Sequence, residues 1–270
     1  PSVADFIVKP LDAQFTSPLI FSALPKEAAE TREVELAAAG HVVCTNASVN
    51  RMVEDVPLLL PEVNAEHVSL IDVQRRRRGW TSGALVANSN CTAMPVVMAL
   101  APLRDFGIRK IHMVSMQAIS GAGYPGVASL DIVDNVIPYV SGDEHKLETE
   151  TLRMLGRFDG EQVVWLDAVA GASCNRVSVV DGHLVNVSIT LDAEPEMDAI
   201  IAAWDAAPGL SYLPSAPPRP VEYLPQTDRP QPRRDRRAGK GMATTVGRVR
   251  RSPLFGCKFV SMAQNTNRSA

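Results

Sequence analysis

The segment 19–48 places the strongest constraint on the fold of this chain. An apolar stretch, LIFSAL at residues 19–24, ends at Pro25 and is followed by KEAAETREVELAAAG, which is typical of a helix closed by a glycine. A second strand-like stretch, HVVCTNAS, follows at residues 41–48. A strand, a helix and a strand at this spacing form a βαβ unit, whose two strands lie parallel in one sheet. The sequence therefore predicts a parallel α/β part up to about Ser89.

The pattern changes after Ser89, and a mixed α+β part is predicted. Apolar residues at helical spacing, or charged stretches closed by glycine, predict helices over 92–103, 144–156 and 196–207. Alternation of apolar and polar residues predicts strands over 109–120, 163–171, 176–180, 183–192, 242–251 and 256–266. The strands over 163–171, 176–180 and 183–192 are expected to be antiparallel. Proline is dense from 208 to 232, so we expect an extended excursion outside the core there.

Composition excludes several classes of protein. With 270 residues and 46% hydrophobic content the chain can bury one or two cores. No apolar run has the length of a membrane span, and no signal peptide opens the chain. The cysteines are far apart and form no CxxC pair, so neither a zinc site nor a redox dithiol is indicated. We expect a reducing, cytoplasmic setting. The cysteines are Cys44, Cys91, Cys174 and Cys257.

Cys91 is the most informative single residue, because it lies between a strand-like stretch and a helical one in ANSNCTAMP. The N–H groups and the dipole at a helix N-terminus stabilise a thiolate, so the sequence predicts a nucleophile. Arg176 and His183 lie in CNRVSVVDGHLV. An Asp-Gly turn between two strands would return His183 toward the face that carries Arg176. A guanidinium suits a carboxylate, and an imidazole suits proton transfer near neutral pH.

Other interpretations of these residues stay open at this point. Cys91 could be a small buried side chain, His183 a turn residue, and Arg176 a surface ion-pair partner. The basic run Arg75–Arg78 and the basic segment 229–251 could bind nucleic acid. A net charge of −3 and the lack of interleaved aromatic residues argue against nucleic acid and favour surface and subunit contacts. A catalytically inactive protein that serves as a scaffold is a further alternative, although the candidate catalytic residues are retained.

Eight motifs together resemble aspartate-semialdehyde dehydrogenase of the archaeal and fungal type. They occur in the family's order and spread over nearly the whole chain. They are FSALP (21–25), TNASVNRM (45–52), VPLLLPEVN (56–64), NSNCTAMP (88–95), SMQAISGAGYPG (115–126), DEHKLETETLRMLG (143–156), CNRVSVVDGH (174–183) and AQNTNRSA (263–270).

The resemblance implies a role for each matching residue of the substrate site. Cys91 would be the nucleophile, His183 the acid/base and Gln117 the residue that orients the acyl-enzyme. Five residues would bind substrate: Arg176 its carboxylate, Arg51 its phosphate, Asn90 beside the nucleophile, and Glu144 and Lys146 from the charged helix. The resemblance leaves open whether Asp143, Glu144 or Glu148 carries the acidic role. No metal site is implied.

The resemblance also implies NADP as the cofactor. Its expected binding residues are Ser22, Ala23, Leu24 and Pro25 after the first strand, Gly121, Ala122 and Gly123 in the glycine-rich loop, and Asn265 beside the nicotinamide. The family's strand and G-x-x-G-x-x-G turn are missing before residue 1, and the chain stops at the start of a helix. We therefore expect a piece of a longer protein, whose cofactor grip is incomplete.

The implied fold is α/β, with a Rossmann-type parallel sheet, incomplete at its N-terminus, and a mixed α+β catalytic and dimerisation domain. We predict a partial dinucleotide-binding domain at 1–90, a catalytic and dimerisation domain at 91–252, and a segment at 253–270 that returns to the first domain. We also predict a homodimer or homotetramer in the cytoplasm, with no membrane or nucleic-acid partner.

The implied reaction is the NADP-dependent reductive dephosphorylation of L-4-aspartyl phosphate to L-aspartate 4-semialdehyde through a cysteine thioester. This step belongs to lysine, methionine and threonine biosynthesis. Malonyl-CoA and succinyl-CoA reductases resemble the same family and remain the alternative. N-acetylglutamyl-phosphate reductase fits the motifs less well.

Overall fold

A computed structural model describes residues 3–268 of the chain. The strands are β1 Leu19–Ser22, β2 Val42–Thr45, β3 Ala84–Ala87, β4 Ile108–Gln117, β5 Val136–Ile137, β6 Arg157–Phe158, β7 Val163–Val164, β8 Val169–Val177, β9 His183–Leu191, β10 Val221–Leu224, β11 Thr244–Ser252 and β12 Gly256–Ala263. The helices are α1 Lys26–Ala38, α2 Pro61–Asn64, α3 Leu70–Arg78, α4 Ala93–Leu100, α5 Ser129–Ile132, α6 Asp143–Met154, α7 Met197–Asp205 and α8 Pro232–Asp235, with short 3-10 turns between them.

The first sheet confirms the predicted βαβ unit. Strands β1, β2 and β3 are parallel and lie in that order. Helix α1 connects β1 to β2, and its buried Leu36 and Ala37 belong to the same core as Val43 of β2. The carboxyl ends of all three strands lie at one edge of the sheet, so Ser22, Thr45 and the chain leading to Cys91 meet there.

The second sheet confirms the mixed α+β part. Seven strands lie in the order β10-β11-β12-β9-β4-β8-β5, with parallel and antiparallel neighbours. The predicted helix over 92–103 is α4, whose eight residues are all buried. Trp204 of α7 donates its indole N–H to Ala99 O of α4 at 2.8 Å and packs edge-on against Phe259 of β12. Helix α4 is therefore the centre of the core.

Strand β8 differs from the prediction of two antiparallel strands over 163–171 and 176–180. Residues Val169–Val177 form one strand, and it is parallel to β4. Strand β4 lies between β8 and β9, so the Asp-Gly turn is part of a crossover and not of a hairpin. The crossover passes over the end of β4, where the N–H groups of Ile119 and Ser120 bond to the carbonyls of Val179 and Val180. The apolar alternation cannot distinguish these two strand orders.

The proline-dense segment 208–232 is not wholly an excursion outside the core. Strand β10 forms within it, pairs parallel with β11 at the edge of the large sheet, and buries Val221. Proline is compatible with the start of an edge strand, where its missing N–H breaks no sheet bond. Pro220 lies immediately before β10, so the prolines mark the beginning of this strand.

The end of the chain also differs from the predicted return segment at 253–270. Residues Gly256–Ala263 are strand β12, which pairs with β9 and β11 inside the large sheet. Only the residues after β12 leave that sheet; they form turns, and Arg268 makes a buried ion pair with Glu62 of α2 at 2.6 Å. Residues 269–270 of the predicted terminal helix lie outside the described residues.

Within residues 3–268, no helix has the length and apolar character needed to cross a lipid bilayer.

Candidate active site

Cys91 lies in the turn between β3 and α4, as the sequence predicts, and is half-buried. Its neighbour Asn90 shapes this turn. The Asn90 side-chain oxygen accepts the N–H groups of Thr92 at 2.7 Å and of Ala93 at 3.2 Å. The side chain of Asn90 therefore caps the start of α4 and holds the backbone around the thiol.

The thiol of Cys91 does not have the lowered pKa that a helix N-terminus predicts. Burial raises its pKa, and the Asp143 carboxylate raises it further. The charge of Arg51, the nearby Thr92 side chain and the charge of Arg176 act in the opposite direction. Because Asn90 already occupies two of the helix N–H groups, the thiolate is favoured mainly by neighbouring side chains, with Arg51 first among them.

Arg176 and Gln117 are direct neighbours on the parallel pair β4 and β8. Their side chains are buried, with 6% and 1% exposure respectively. Arg176 donates from Nη1 to the Ala118 carbonyl at 2.8 Å, and Gln117 donates from Nε2 to Asp143 Oδ2 at 3.2 Å. The prediction places both residues in the site, and the structure brings them to one face of the sheet beside Cys91, whose thiol pKa responds to Arg176.

His183 is the first residue of β9 and is fully buried. Its Nδ1 accepts the Ala118 N–H at 3.1 Å, so the ring proton of the neutral imidazole lies on Nε2. Nε2 is buried and has no hydrogen-bond partner among the described residues. Burial and the nearby Arg176 lower the pKa of His183 to about 3. Since Ala118 binds both side chains, one residue orients the imidazole and the guanidinium together.

Gly121 lies directly over this pair of side chains. A Cβ atom at this position would be 2.7 Å from His183 Nε2 and 2.9 Å from Arg176 Nη1, so only glycine fits without a shift. The following Ala122 and Gly123 are exposed. The loop predicted to contact the cofactor therefore begins against the two predicted substrate-site residues.

Arg51 is buried, with 7% exposure, and is connected to the nucleophile turn through Glu150. It donates from Nη2 to Asn46 O at 2.8 Å and from Nη1 to Glu150 Oε1 at 3.3 Å. The second carboxylate oxygen of Glu150 accepts the N–H of Asn90 at 2.6 Å. Arg51, predicted to bind phosphate, is thus connected to the turn that carries Cys91.

The three candidate acidic residues near the start of α6 have different hydrogen-bond partners. Glu144 Oε1 accepts the N–H of Cys174 at 3.0 Å, and Glu148 Oε1 accepts the N–H of Ala172 at 2.9 Å, so both bind the backbone of β8. Asp143 instead contacts Gln117 and accepts a hydrogen bond from Lys146 Nζ at 3.1 Å. The structure therefore places Asp143 and Lys146 in the site and places Glu144 on the backbone beside it.

The segment predicted to line the cofactor follows β1 at the carboxyl edge of the parallel sheet. The hydroxyl of Ser22 donates to Glu33 Oε1 at 2.5 Å, while Ala23 and Pro25 are exposed and Leu24 is half-buried. Dinucleotides bind at this edge in open parallel α/β sheets, so an accessible loop here fits the predicted cofactor.

Asn265, predicted to lie beside the nicotinamide, connects two turns of the site. Its Oδ1 accepts the N–H of Gly182 at 2.9 Å, and its Nδ2 donates to Ser120 Oγ at 2.9 Å. Asn265 is 3% exposed. It therefore fixes the residue before His183 relative to the loop that begins at Gly121.

Sequence reasoning missed several charged residues that organise the site. Glu33 receives hydrogen bonds from Ser22, Thr45 and Asn50. Glu150 and Arg153 of α6 are also buried, and Arg153 donates to the backbone carbonyls of the loop that starts at Arg51. Charged residues on a helix are usually exposed, so the sequence carries no signal that separates these from a solvated face.

All four cysteines are free thiols. Among residues 3–268, no group of three or more His, Cys, Asp or Glu side chains is arranged to hold a metal ion.

Comparison with known families defines the class of protein. Residues 2–71 match the family described as "Semialdehyde dehydrogenase, NAD binding domain". Residues 100–268 match "Semialdehyde dehydrogenase, dimerisation domain". The fold and the cysteine site agree with this two-part architecture, so the chain is a semialdehyde dehydrogenase in the broad sense.

Individual relatives narrow this class. Aspartate-semialdehyde dehydrogenase of Archaeoglobus fulgidus is 46% identical over 272 residues, which cover 100% of this chain and 79% of the relative. Malonyl CoA reductase (NADP) of Metallosphaera sedula is 36% identical, over 99% of this chain and 78% of the relative. The crystal structure of aspartate-semialdehyde dehydrogenase with NADP from Candida albicans has a TM-score of 0.83 and 34% identity, over 93% of this chain and 74% of that one. The chain belongs to the aspartate-semialdehyde dehydrogenase family.

Proposed function

We propose that this chain carries the catalytic machinery for the NADP-dependent reductive dephosphorylation of L-4-aspartyl phosphate to L-aspartate 4-semialdehyde. The observation that carries the proposal is the position of Arg176. Its guanidinium and the His183 imidazole both bind Ala118 and both lie against Gly121. Its charge also acts on the Cys91 thiol. An anion-binding group and a proton-bearing ring therefore lie together near the nucleophile.

Two guanidinium groups match the two anionic ends of the substrate. Arg176 binds the substrate carboxylate, because a guanidinium grips a carboxylate through two N–H groups. Arg51 binds the acyl phosphate, supported by Lys146, whose side chain is 35% exposed. The carbonyl carbon between the two anions then lies at the Cys91 turn.

The Cys91 thiolate attacks this carbonyl, inorganic phosphate leaves, and a thioester remains on the sulfur. Held at the carboxyl edge of the first sheet, NADPH would supply the hydride for the reduction of this acyl group. Gln117, held by Asp143, orients the acyl group. The N–H of Cys91, which donates to none of the described groups, is the available oxyanion donor of the turn, since its neighbours bind Asn90 and Glu150.

His183 handles the proton when the tetrahedral species collapses to the aldehyde. The imidazole is neutral in the ligand-free site, partly because the Arg176 charge lowers its pKa. A bound substrate carboxylate neutralises Arg176, so the pKa of His183 rises and the ring can donate a proton from Nε2 to the Cys91 sulfur as the C–S bond breaks and the substrate oxygen becomes the aldehyde carbonyl.

The residues that would hold NADP are those at the carboxyl edge of the first sheet: Ser22, Ala23, Leu24 and Pro25, with Gly121, Ala122, Gly123 and Asn265 nearer the nicotinamide. The buried Glu33 supports this assignment, because it anchors the Ser22 hydroxyl and leaves the next residues accessible.

We also propose a homodimer or homotetramer formed through the large sheet. Its face opposite α4 carries the partly exposed His112, Val114, Asn186 and Ser188, and the groove over them is lined by strand residues. Free thiols in all four cysteines fit a cytoplasmic enzyme. The domain limits that we propose are 1–90 for cofactor binding and 91–252 for catalysis and dimerisation, with β12 of the segment 253–270 completing the large sheet.

A substrate comparison tests the function. In the reverse direction of the reaction, we expect turnover of L-aspartate 4-semialdehyde with phosphate and NADP⁺. We expect no comparable turnover of malonyl-CoA with NADPH.

Cys91→Ala should reduce turnover by at least about a thousandfold with an unchanged unfolding temperature. Cys44→Ala is the matched control, since Cys44 is also half-buried and should keep wild-type activity. Turnover of malonyl-CoA alone would establish the reductase alternative instead.

A further inference from the structure

Glu150 is a buried acid in the middle of α6, with 1% of the residue exposed. Its two carboxylate oxygens have separate partners from distant parts of the chain. Oε2 accepts the Asn90 N–H at 2.6 Å, and Oε1 accepts from Arg51 Nη1 at 3.3 Å. One carboxylate therefore joins the turn of the nucleophile to the arginine of the anion site.

Stability gives little reason for this arrangement. Burying a carboxylate and a guanidinium costs solvation energy that their attraction only partly returns. Burial raises the pKa of Glu150, whereas Arg51 and the Asn90 N–H oppose that rise. The geometry instead fixes a distance between two functional elements, since neither the Asn90 backbone nor the Arg51 guanidinium can move without losing a bond to Glu150.

Arg51 shows an independent sign of a missing ligand. Its Nε atom is buried and donates to none of the described groups, while Nη1 and Nη2 are bound to Glu150 and Asn46. A buried N–H without an acceptor costs free energy, and on a cation an anionic oxygen such as that of a phosphate is a strong acceptor for it. Glu150 thus holds the guanidinium in an orientation that leaves the Nε–H without a partner among the described residues.

We propose that Glu150 is a positioning residue, which orients Arg51 toward the substrate phosphate and fixes it relative to the Cys91 turn. This inference rests on the proposed phosphate-binding role of Arg51. Glu150→Gln should separate the two functions. The amide oxygen can still accept from Asn90, but the amide N–H₂ then faces Arg51 Nη1, so the guanidinium loses its orientation.

The test measures protection of Cys91 from alkylation by iodoacetamide, in the full chain, at increasing concentrations of inorganic phosphate. Glu150→Gln should weaken phosphate binding about tenfold, the scale of one hydrogen bond to a charged group. Arg51→Met should weaken it at least as much, and the double variant should be no weaker than Arg51→Met. Glu148→Gln is the matched control, because Glu148 lies on the same helix and binds only the β8 backbone. Its protection curve should equal that of the wild type.

Additive effects of the two single variants, or an unchanged curve for Glu150→Gln, would overturn the inference. If Glu150→Gln does not fold, Glu150→Asp carries the test. Aspartate keeps the charge but cannot span both partners, so weaker protection is expected and wild-type protection overturns the inference.

In turnover by Glu150→Gln, KM for phosphate should rise while kcat stays within about twofold of the wild type. Alkylation needs no turnover, so failure of the aspartyl substrate would leave this result intact, whereas wild-type protein that phosphate does not protect would refute the role of Arg51.

Discussion

Asn90 alters the electrostatics of the residue beside it. A cysteine at a helix N-terminus normally benefits from unpaired N–H groups. Here the N–H groups of Thr92 and Ala93 bond to Asn90, and burial raises the thiol pKa of Cys91. The thiolate therefore depends on side-chain charges, and the arrangement of arginines and acids around the sulfur decides its reactivity.

His183 gives a pH-dependent signature of its burial. Its folded-state pKa of about 3 lies below the value of about 6.5 for a free histidine. Between these values the unfolded chain binds a proton at His183 that the folded chain does not. The contribution to the free energy of unfolding is therefore fully present above about pH 6.5 and declines as the pH falls, by about 1 kcal/mol per pH unit.

The measurement is urea unfolding of the wild type and of His183→Asn at several pH values from 6.5 to about 4. Loss of stability with acid should be less steep in His183→Asn by about 1 kcal/mol per unit. The buried His67, whose pKa burial also lowers, is present in both proteins, so its effect cancels. Parallel pH profiles of the two proteins would show that His183 is not buried as a neutral ring.

The site was predictable residue by residue only where a motif identified the side chain. Arg176 and His183, which the motifs indicate, both contact Ala118, and the catalytic roles of these residues and of Cys91 stay predictions. The choice between Asp143 and Glu144 was not predictable, since successive helix residues differ by about 100° in direction and nothing in the sequence says which one faces β4. The roles of Glu33 and Glu150 arise from partners far away along the chain, which local sequence patterns do not identify.

At the scale of elements, α6 organises both sheets around the nucleophile. Its acidic residues Glu144 and Glu148, one turn apart, bind alternate N–H groups of β8. Its next turns reach the first sheet through Glu150 and Arg153. The helix therefore connects the strand that carries Arg176 with the loop that carries Arg51.

Arg153 offers a test of this connection. Arg153 is 3% exposed. Its guanidinium donates to Arg51 O at 3.0 Å, Val53 O at 2.8 Å and Val56 O at 2.7 Å. Arg153→Met removes these bonds and leaves carbonyl groups without donors, so the free energy of unfolding should fall by about 3 kcal/mol or more. Urea unfolding followed by tryptophan fluorescence measures the change.

The matched control is Arg77→Met on α3. Arg77 forms an exposed ion pair with Glu54 at 3.2 Å. Exposed pairs of this kind contribute at most about 1 kcal/mol, so the same substitution should have little effect here. Equal losses in the two variants would mean that the carbonyl bonds of Arg153 do not stabilise the loop.

The elements themselves were easier to predict than their order in the large sheet. Strong periodicity identified α4, α6 and α7 and the strands β4, β9, β11 and β12. The position of β8 beside β4 was not predictable, because period-two alternation specifies which face is buried but not which neighbour a strand has. Likewise, β10 follows a proline-rich stretch and becomes a strand only through pairing with β11.

At the scale of the whole molecule, the two sheets have different surroundings. The first sheet presents its carboxyl edge to the site, and the large sheet has α4, α6 and α7 on one face. The other face combines apolar Val114 with polar and basic neighbours, among them His112, Asn186 and Lys258. A half-exposed sheet face of this kind suits contact with a second copy of the chain.

The proposed assembly predicts that Val114→Asp dissociates the oligomer. Val114 lies near the middle of β4, opposite Asn186 of β9, and is half-buried. An isologous interface brings each patch onto its own copy, so one substitution introduces two carboxylates that must be buried near each other. We expect the dissociation constant to rise by at least about a hundredfold, an effect of about 3 kcal/mol. Sedimentation velocity over a range of protein concentrations measures this dissociation constant.

Val68→Asp is the control, since Val68 is 46% exposed and lies outside the large sheet. An unchanged sedimentation coefficient for Val114→Asp would place the subunit contact on another surface.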